Sequence, residues 1–423
     1  MIMVEAVAAV VEEEQEDHWE AVVVVVREYD GERDRRGVEE VERECEVGSS
    51  GSGGRSGKMR LFTDLLGDPL ARIRNSPAYL MLVAETTATG GGGTEIIGLV
   101  RGCVKSVVSG ACSTQPSNQD PIYTKVAYIL GLRVSPNHRR RGVGKKLVER
   151  MEEWFREKGA EYSYMATEQD NEASVRLFTG RCGYAKFRTP SVLVHPVFPG
   201  HALPPSRRAS ISRLDTRDAE RLYRRHFASV EFFPADIDAV LSNALSLGTF
   251  LALPAGTRPW DGIESPPASS WAVVSVWNCA DAFRLEVRGA TRLMRAAAGA
   301  TRLVDRTAPW LGIPSVPDLF RPFGVCFMYG VGGAGPGAPG LVRALCRHAH
   351  NVARRRGGFG VVATEVGARD PVRAGVPRWA RLGAEDLWCI KRLADGYAHG
   401  GGTLGDWTKA PPGRSIFVDP REF

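Results

Sequence analysis

Residues 126–158 read VAYILGLRVSPNHRRRGVGKKLVERMEEWFREK, and the order of residue types in that stretch decides the fold. Val126, Tyr128 and Ile129 are β-branched or aromatic residues suited to a strand, which Ser135-Pro136-Asn137 then ends. Past the basic run, Val143, Leu147, Met151, Trp154 and Phe155 recur at helical spacing and make one apolar face, while Lys146, Glu149, Arg150, Glu153 and Glu157 lie off it. Gly159 closes that helix. Between strand and helix, Gly142 and Gly144 leave backbone N–H groups uncovered where the positive end of the helix dipole emerges, flanked by Arg139, Arg140, Arg141, Lys145 and Lys146. Strand, basic glycine turn and helix in this order make an anion site. The three-glycine dinucleotide fingerprint and the Walker loop are both absent from the stretch.

The spacing Arg139-x-x-Gly142-x-Gly144 resembles the pyrophosphate loop of the GCN5-related N-acetyltransferases. A second stretch agrees with it: Tyr162–Thr167 reads as a strand, Asn171 opens a short helix, and Asn171, Ser174, Leu177, Phe178, Gly183 and Tyr184 resemble the family's next motif. The resemblance implies an α/β fold, a mixed sheet flanked by helices, that takes acetyl-coenzyme A (acetyl-CoA) as co-substrate and uses no metal. It also implies that the diphosphate lies on Arg139, Arg140, Arg141, Gly142, Val143, Gly144 and Lys145. A bulged strand at Leu132, Arg133 and Val134 would face the thioester and the pantetheine arm, with Asn171, Leu177 and Phe178 beside that arm. As a plain helix N-cap, Asn171 needs no ligand to explain it.

Direct acyl transfer needs a base for the attacking amine and a proton for the leaving thiolate. The candidates for the base are Tyr128, on the strand before the loop, and Glu168, at the tip of the next strand. Relatives often carry Tyr where this chain has Phe178, so the thiolate proton would come from water or from Tyr184. Each candidate also has a plain structural reading: Tyr128 as a core aromatic, Glu168 as a partner of nearby arginines.

Outward from these motifs, Ala21–Tyr29, Tyr79–Glu85 and Ile96–Val104 read as strands, and Asp34–Glu46 and Leu61–Ile73 as helices. Gly48–Gly57 and Gly90–Gly93 read as flexible loops. The expected organisation is a disordered acidic leader (1–19), an N-acetyltransferase domain (20–197), a proline-rich linker (198–206), a degenerate acetyltransferase-like α/β domain (207–395) and a tail (396–423). The second domain is expected from an internal echo. Phe359-Gly-Val-Val-Ala-Thr-Glu365 parallels Tyr162-Ser-Tyr-Met-Ala-Thr-Glu168, and the segment 341–356 is amphipathic like the helix after Gly144. Its preceding turn, Gly332–Gly340, has no basic residue, and Pro336 and Pro339 remove two backbone donors, so no second diphosphate is expected there. In this half Ile211–Phe227 reads as a helix capped by Asp215.

At 423 residues and 43% hydrophobic, the chain can bury more than one core, and its net charge of +6 is too mild to argue for nucleic acid. The eight cysteines show no C-x-x-C pair and no metal spacing, which reads as reduced thiols in an intracellular, soluble protein of nucleus or cytoplasm. Met1–Val11 lacks a basic flank and runs into Glu12, Glu13 and Glu14, so it fails as a signal peptide, and no segment has the length of a membrane span.

Over most of its length the chain resembles the plant Hookless family of probable N-acetyltransferases. The match is carried by VREYD (26–30), MRLFTDLLGDPLARIRNSPAYLMLVAE (59–85) and the block 126–190. That resemblance implies a regulatory role in plant growth, favours the nucleus, and leaves as acceptor an amine of a protein, such as a histone, or of a small molecule. The alternative is a weakly active or inactive acetyl-CoA-binding regulator that acts through its second domain.

Overall fold

The computed structural model describes residues 24–45, 60–87, 94–109, 121–262, 266, 269–311, 314–379, 382–394 and 406–423. The expected leader, the loops Gly48–Gly57 and Gly90–Gly93, and residues 396–405 of the tail lie outside the described residues.

The first half runs β1 (Val24–Glu28), α1 (Arg35–Glu44), β2 (Arg60–Asp64), β3 (Ala78–Thr87), β4 (Thr94–Val108), β5 (Tyr123–Val134), α2 (Val143–Glu157), β6 (Tyr162–Glu168), α3 (Glu172–Gly180), β7 (Ala185–Arg188) and β8 (Ser191–Pro196). The second runs β9 (Ala209–Leu214), α4 (Thr216–Phe227), α5 (Ile237–Ser242), β10 (Ser246–Pro254), β11 (Trp271–Asn278), β12 (Arg284–Arg288), α6 (Arg292–Thr307), β13 (Gly324–Ala334), α7 (Ala338–Arg356), β14 (Phe359–Val366) and β15 (Ala384–Arg392).

Each half contains a parallel pair joined by its principal helix, β5–α2–β6 and β13–α7–β14, as the echo in the sequence led one to expect. The strand that completes each pair comes from the other half. β15 lies antiparallel on β6, and β8 lies antiparallel on β14. The result, among the described residues, is one 13-stranded mixed sheet in the order β1-β3-β4-β5-β6-β15-β8-β14-β13-β11-β10-β9, with β7 on the side of β15.

Packing explains the helix positions. In α2 the side chains of Val143, Leu147, Val148, Met151, Trp154 and Phe155 are buried. Gly102 on β4 lets the helix come close, because a Cβ there would stand 2.5 Å from Met151 Sδ and 2.7 Å from a Phe155 ring carbon. On the other side of the sheet one buried cluster reaches from Val38 and Val41 of α1 to Tyr223 and Phe227 of α4, so the two halves share a core. Residues 406–423 belong to it: Trp407, Phe417 and Val418 are buried, and Asp419 is held by Lys105 at 3.1 Å and by Arg421 at 2.7 Å.

Two sequence expectations need correction. Leu61–Ile73 is not a helix: residues 60–64 form β2, paired with β12, and a series of turns follows in which Leu66 and Gly67 have φ of +54° and +73°. Gly67 and Pro69 interrupt the helical run, and the apolar residues Leu65, Ala71 and Ile73 bury themselves from turns instead. The helix expected at Ile211 begins only at Thr216, since Ile211–Leu214 pair with β10; Asp215 caps it as expected, its side chain accepting from Asp218 N at 2.8 Å.

Candidate active site

The basic turn begins where β5 leaves the sheet. Ser135 N donates to Ile97 O at 2.9 Å, a single tight turn spans Pro136–His138, and Arg140 and Gly142 then take φ of +63° and +78°. Those left-handed residues turn the chain so that α2 starts at Val143 with no side chain capping its N-terminus. Among the described residues a Cβ at Gly142 would meet nothing within 4 Å, so they leave the turn open on that side. Gly144 is set against α3, its virtual Cβ 3.3 Å from Leu177 Cδ2. Arg139 Nε donates to Val134 O at 3.1 Å and its Nη2 lies 3.8 Å from Cys45 Sγ; Lys145 pairs with Glu149 at 3.4 Å.

Beside this turn the sheet opens. The parallel pairing of β5 with β6 runs from Val126↔Tyr162 to Ile129↔Met165 and stops, although β5 continues to Val134 and β6 to Glu168. The β5 bulge lies at Gly131–Leu132, which together oppose Val100, whereas Arg133 and Val134 are back in register with Leu99 and Gly98. The sequence expectation of Leu132–Val134 is thus displaced toward Gly131, whose φ of +61° is what a bulge of this kind needs. Arg133 Nε stands 3.6 Å from Glu42, a carboxylate that also accepts from Arg101 at 2.7 Å.

A cavity of about 380 Å³ occupies the splay and continues under the second half. Residues 128–133 of β5 and 165–168 of β6 form one wall, and β8, β13, β14 and β15 contribute the other. Its roof is the two-stranded ribbon of β2 and β12: Leu61 pairs with Val287 and Thr63 with Leu285, and all four line the cavity.

The expected site residues divide between these features. Tyr128, Leu132, Arg133, Glu168, Asn171 and Phe178 line the cavity. Asn171 also caps α3, its side chain accepting from Ser174 N at 3.3 Å. The Tyr128 ring packs on Tyr164 at 4.8 Å, and burial raises its phenol well above the usual tyrosine range. Tyr164 donates at 2.6 Å to Glu422, which pairs with Lys105 at 2.7 Å. Tyr184 is not among the cavity residues; its hydroxyl is buried 2.8 Å from Ser163 Oγ, and its ring meets Phe178 edge-on at 5.1 Å.

Three further groups in the cavity wall were missed. Asp386 on β15 is directly opposite Glu168 on β6. Glu365 on β14 accepts from Trp388 Nε1 at 2.9 Å. Arg72 lies over the Phe283 ring at 5.0 Å. Burial, with the Glu168 and Glu385 charges added, pushes the Asp386 carboxyl up to about 7; burial and Asp386 push Glu365 up as well. A signal for Glu365 was present, since the repeated Ala-Thr-Glu brings it to the cavity as it does Glu168. Asp386 carries no such signal. Among the described residues no group of three or more His, Cys, Asp or Glu is placed to hold a metal ion, and no helix is long and apolar enough to cross a membrane.

Residues 62–184 match the Acetyltransferase (GNAT) family. The chain is 58% identical over 417 residues to the Arabidopsis thaliana protein named probable N-acetyltransferase HLS1, a match that spans 95% of this chain and 100% of the relative. To the rice protein named acetyl transferase GW6a it is 43% identical over 438 residues, 95% of this chain and 98% of the relative. Among solved structures, Saccharomyces cerevisiae N-myristoyltransferase with bound myristoyl-CoA superposes with a TM-score of 0.51 at 9% identity, over 87% of this chain and 79% of that one, which is a likeness of fold.

Proposed function

The chain belongs to the Hookless family of N-acetyltransferases, with a GNAT domain in its first half, and from that premise we propose that it transfers an acetyl group from acetyl-CoA to an amine. The observation that carries this reading is the uncapped N-terminus of α2 behind Gly142, placed beside the point where β5 and β6 part. When bound, acetyl-CoA supplies an activated thioester. The backbone N–H groups of 142–145 would hold its diphosphate, with Arg139, Arg140 and Arg141 adding charge. The released edge of β5 at Leu132–Val134 offers main-chain donors to the pantetheine arm and the thioester oxygen, and Asn171, Leu177 and Phe178 close the other side.

We further infer that residues 20–197 and 207–395 act as two acetyltransferase-type halves joined by 198–206. The first would hold the co-substrate and the second would wall the acceptor. In keeping with the family, the role would be regulation of plant growth. The test of the reading is calorimetry with acetyl-CoA on the natural chain and on Gly142→Asp.

A second reading, a cofactor-binding regulator with little turnover, is favoured by one observation. At the position where relatives often carry a phenol stands Phe178, and the nearby Tyr184 hydroxyl is engaged with Ser163. Transfer assays on Phe178→Tyr separate the two.

A further inference from the structure

The strand exchange places carboxylates of both halves in one cavity. Glu168 ends β6, Asp386 faces it across the antiparallel pair, and Glu365 is the last residue but one of the equivalent strand of the second half. Directly opposed side chains on an antiparallel pair have Cβ atoms about 4.5–5.5 Å apart, so Glu168 and Asp386 act on the same small volume. Much of the remaining wall is apolar, with Leu285, Val287, Leu319, Phe323 and Val325 lining it, while Arg72 and Arg133 add two cations. A space with a cluster of carboxyl groups and a largely apolar remainder, in which Arg72 and Arg133 also stand, complements a protonated amine on an alkyl stem, and its volume of about 380 Å³ suits a lysine side chain or a polyamine arm.

Resting on the acetyl-transfer reading above, we propose that the acceptor is an alkyl primary amine bound as its ammonium in this cavity, and that Asp386, carried across by β15, is the group that takes its proton. Glu168 adds to the attraction of the cation, and Glu365, which accepts from Trp388 Nε1, stands in the same wall. Asp386 accepts one proton from the ammonium and passes it to solvent. The freed nitrogen lone pair then forms the N–C bond to the thioester carbonyl carbon, the C–S bond breaks with its electrons going to sulfur, and the nitrogen's second surplus proton leaves with the sulfur as thiol. Two protons are thereby accounted for, one in solvent and one on coenzyme A.

The titrating groups around Asp386 are Glu168 on β6, Glu385 on its own strand with Arg373 3.3 Å from that carboxylate, Glu365 on β14, Tyr128 on β5 and the Glu422 carboxylate, with Arg72 and Arg133 in the same cavity wall. Acidic groups outnumber basic ones. Burial, with the Glu168 and Glu385 charges added, keeps the Asp386 proton affinity high enough for a base that works near neutral pH.

The experiment measures transfer to spermidine, to a lysine-containing peptide and to aniline, which is already neutral at pH 7, with acetyl-CoA binding followed separately by calorimetry. The natural chain is expected to prefer the alkyl amines and to show an acidic limb near pH 7 in kcat/KM. Asp386→Asn should lower kcat/KM for the alkyl amines by ~10²–10⁴-fold, abolish that limb and leave acetyl-CoA affinity unchanged, while Asp386→Glu restores part of the rate. A full rate with an unaltered limb in Asp386→Asn overturns the proposal. So does a preference for aniline in the natural chain, a result that stands even if the variant does not fold. Acetyl-CoA binding with transfer to none of the three amines overturns this inference and leaves the co-substrate site intact; absence of acetyl-CoA binding removes the reading beneath it.

Discussion

The turn after β5, Arg139–Gly142, and the turn after β13, Gly335–Gly337, each lead from the inner strand of a β–α–β unit into its helix, yet one is open and the other is sealed. In the first, Gly142 has a positive φ, and among the described residues a Cβ there would meet nothing within 4 Å and no side chain caps α2. In the second, Gly337 N already donates to the buried Ser270 Oγ at 2.9 Å, Gly335 is pressed against the backbone of Ser269, and α7 starts with a proline in its first turn. The difference teaches that a glycine turn before a helix is not by itself an anion site. It becomes one when the donors are left without internal acceptors and cations stand nearby.

The largest effect that could break this comparison is loss of the co-substrate. Gly142→Asp puts a carboxylate into the open turn, at a backbone conformation Asp tolerates, and acetyl-CoA affinity should fall beyond detection by calorimetry while the melting curve stays cooperative. The natural chain should bind with a stoichiometry of one; a second equivalent would show that the Gly332–Gly340 turn is a site after all.

Next in size is Phe178→Tyr. Phe178 is buried against Tyr184 and lines the cavity, and the added hydroxyl changes little volume there. If thiolate departure limits turnover, general-acid help should raise kcat by ~10²-fold or more. An unchanged kcat in an active enzyme would make Phe178 a packing residue.

A smaller effect concerns pH. The Asp386 carboxyl is raised from 3.8 to about 7 by burial and by Glu168 and Glu385, so between those values the folded protein keeps a proton that the unfolded chain has released. Its contribution to stability is therefore lost as pH rises through that window, which is opposite to a salt-bridged aspartate. Denaturant titrations from pH 4 to pH 8 should show Asp386→Asn gaining on the natural chain with rising pH; a constant difference would contradict the buried placement. The smallest effect is at the sealed turn, where Ser270→Ala removes the acceptor of Gly337 N and should cost about 1 kcal/mol in the same titrations, with no change in acetyl-CoA affinity.

Much of the first half was legible because its signals are local. The alternation of β5, the periodicity of α2 and the cap at Asn171 each depend on residues within a few positions of one another. Leu61–Ile73 failed for the opposite reason: spacing of apolar residues suggested a helix, but the hydrogen-bond partners of residues 60–64 lie on β12, more than two hundred positions away. Within the site, Glu168 could be proposed from its place at a strand end, whereas Asp386 was invisible, because its importance derives from the strand it pairs with.

By itself the sequence determined that this protein has an acetyltransferase-type β–α–β unit with a basic glycine turn, and a second unit whose turn lacks the charge. Glycine conformation, helix periodicity and residue chemistry act over short range, so they can be read without coordinates. Only the tertiary structure decided that β15 and β8 change places, that the β2–β12 ribbon roofs the cavity, and that Glu168, Asp386 and Glu365 meet in it. Strand pairing is chosen by burial and backbone hydrogen bonds that any of several apolar strands could satisfy, and which ones do so is settled by the packing of the whole chain.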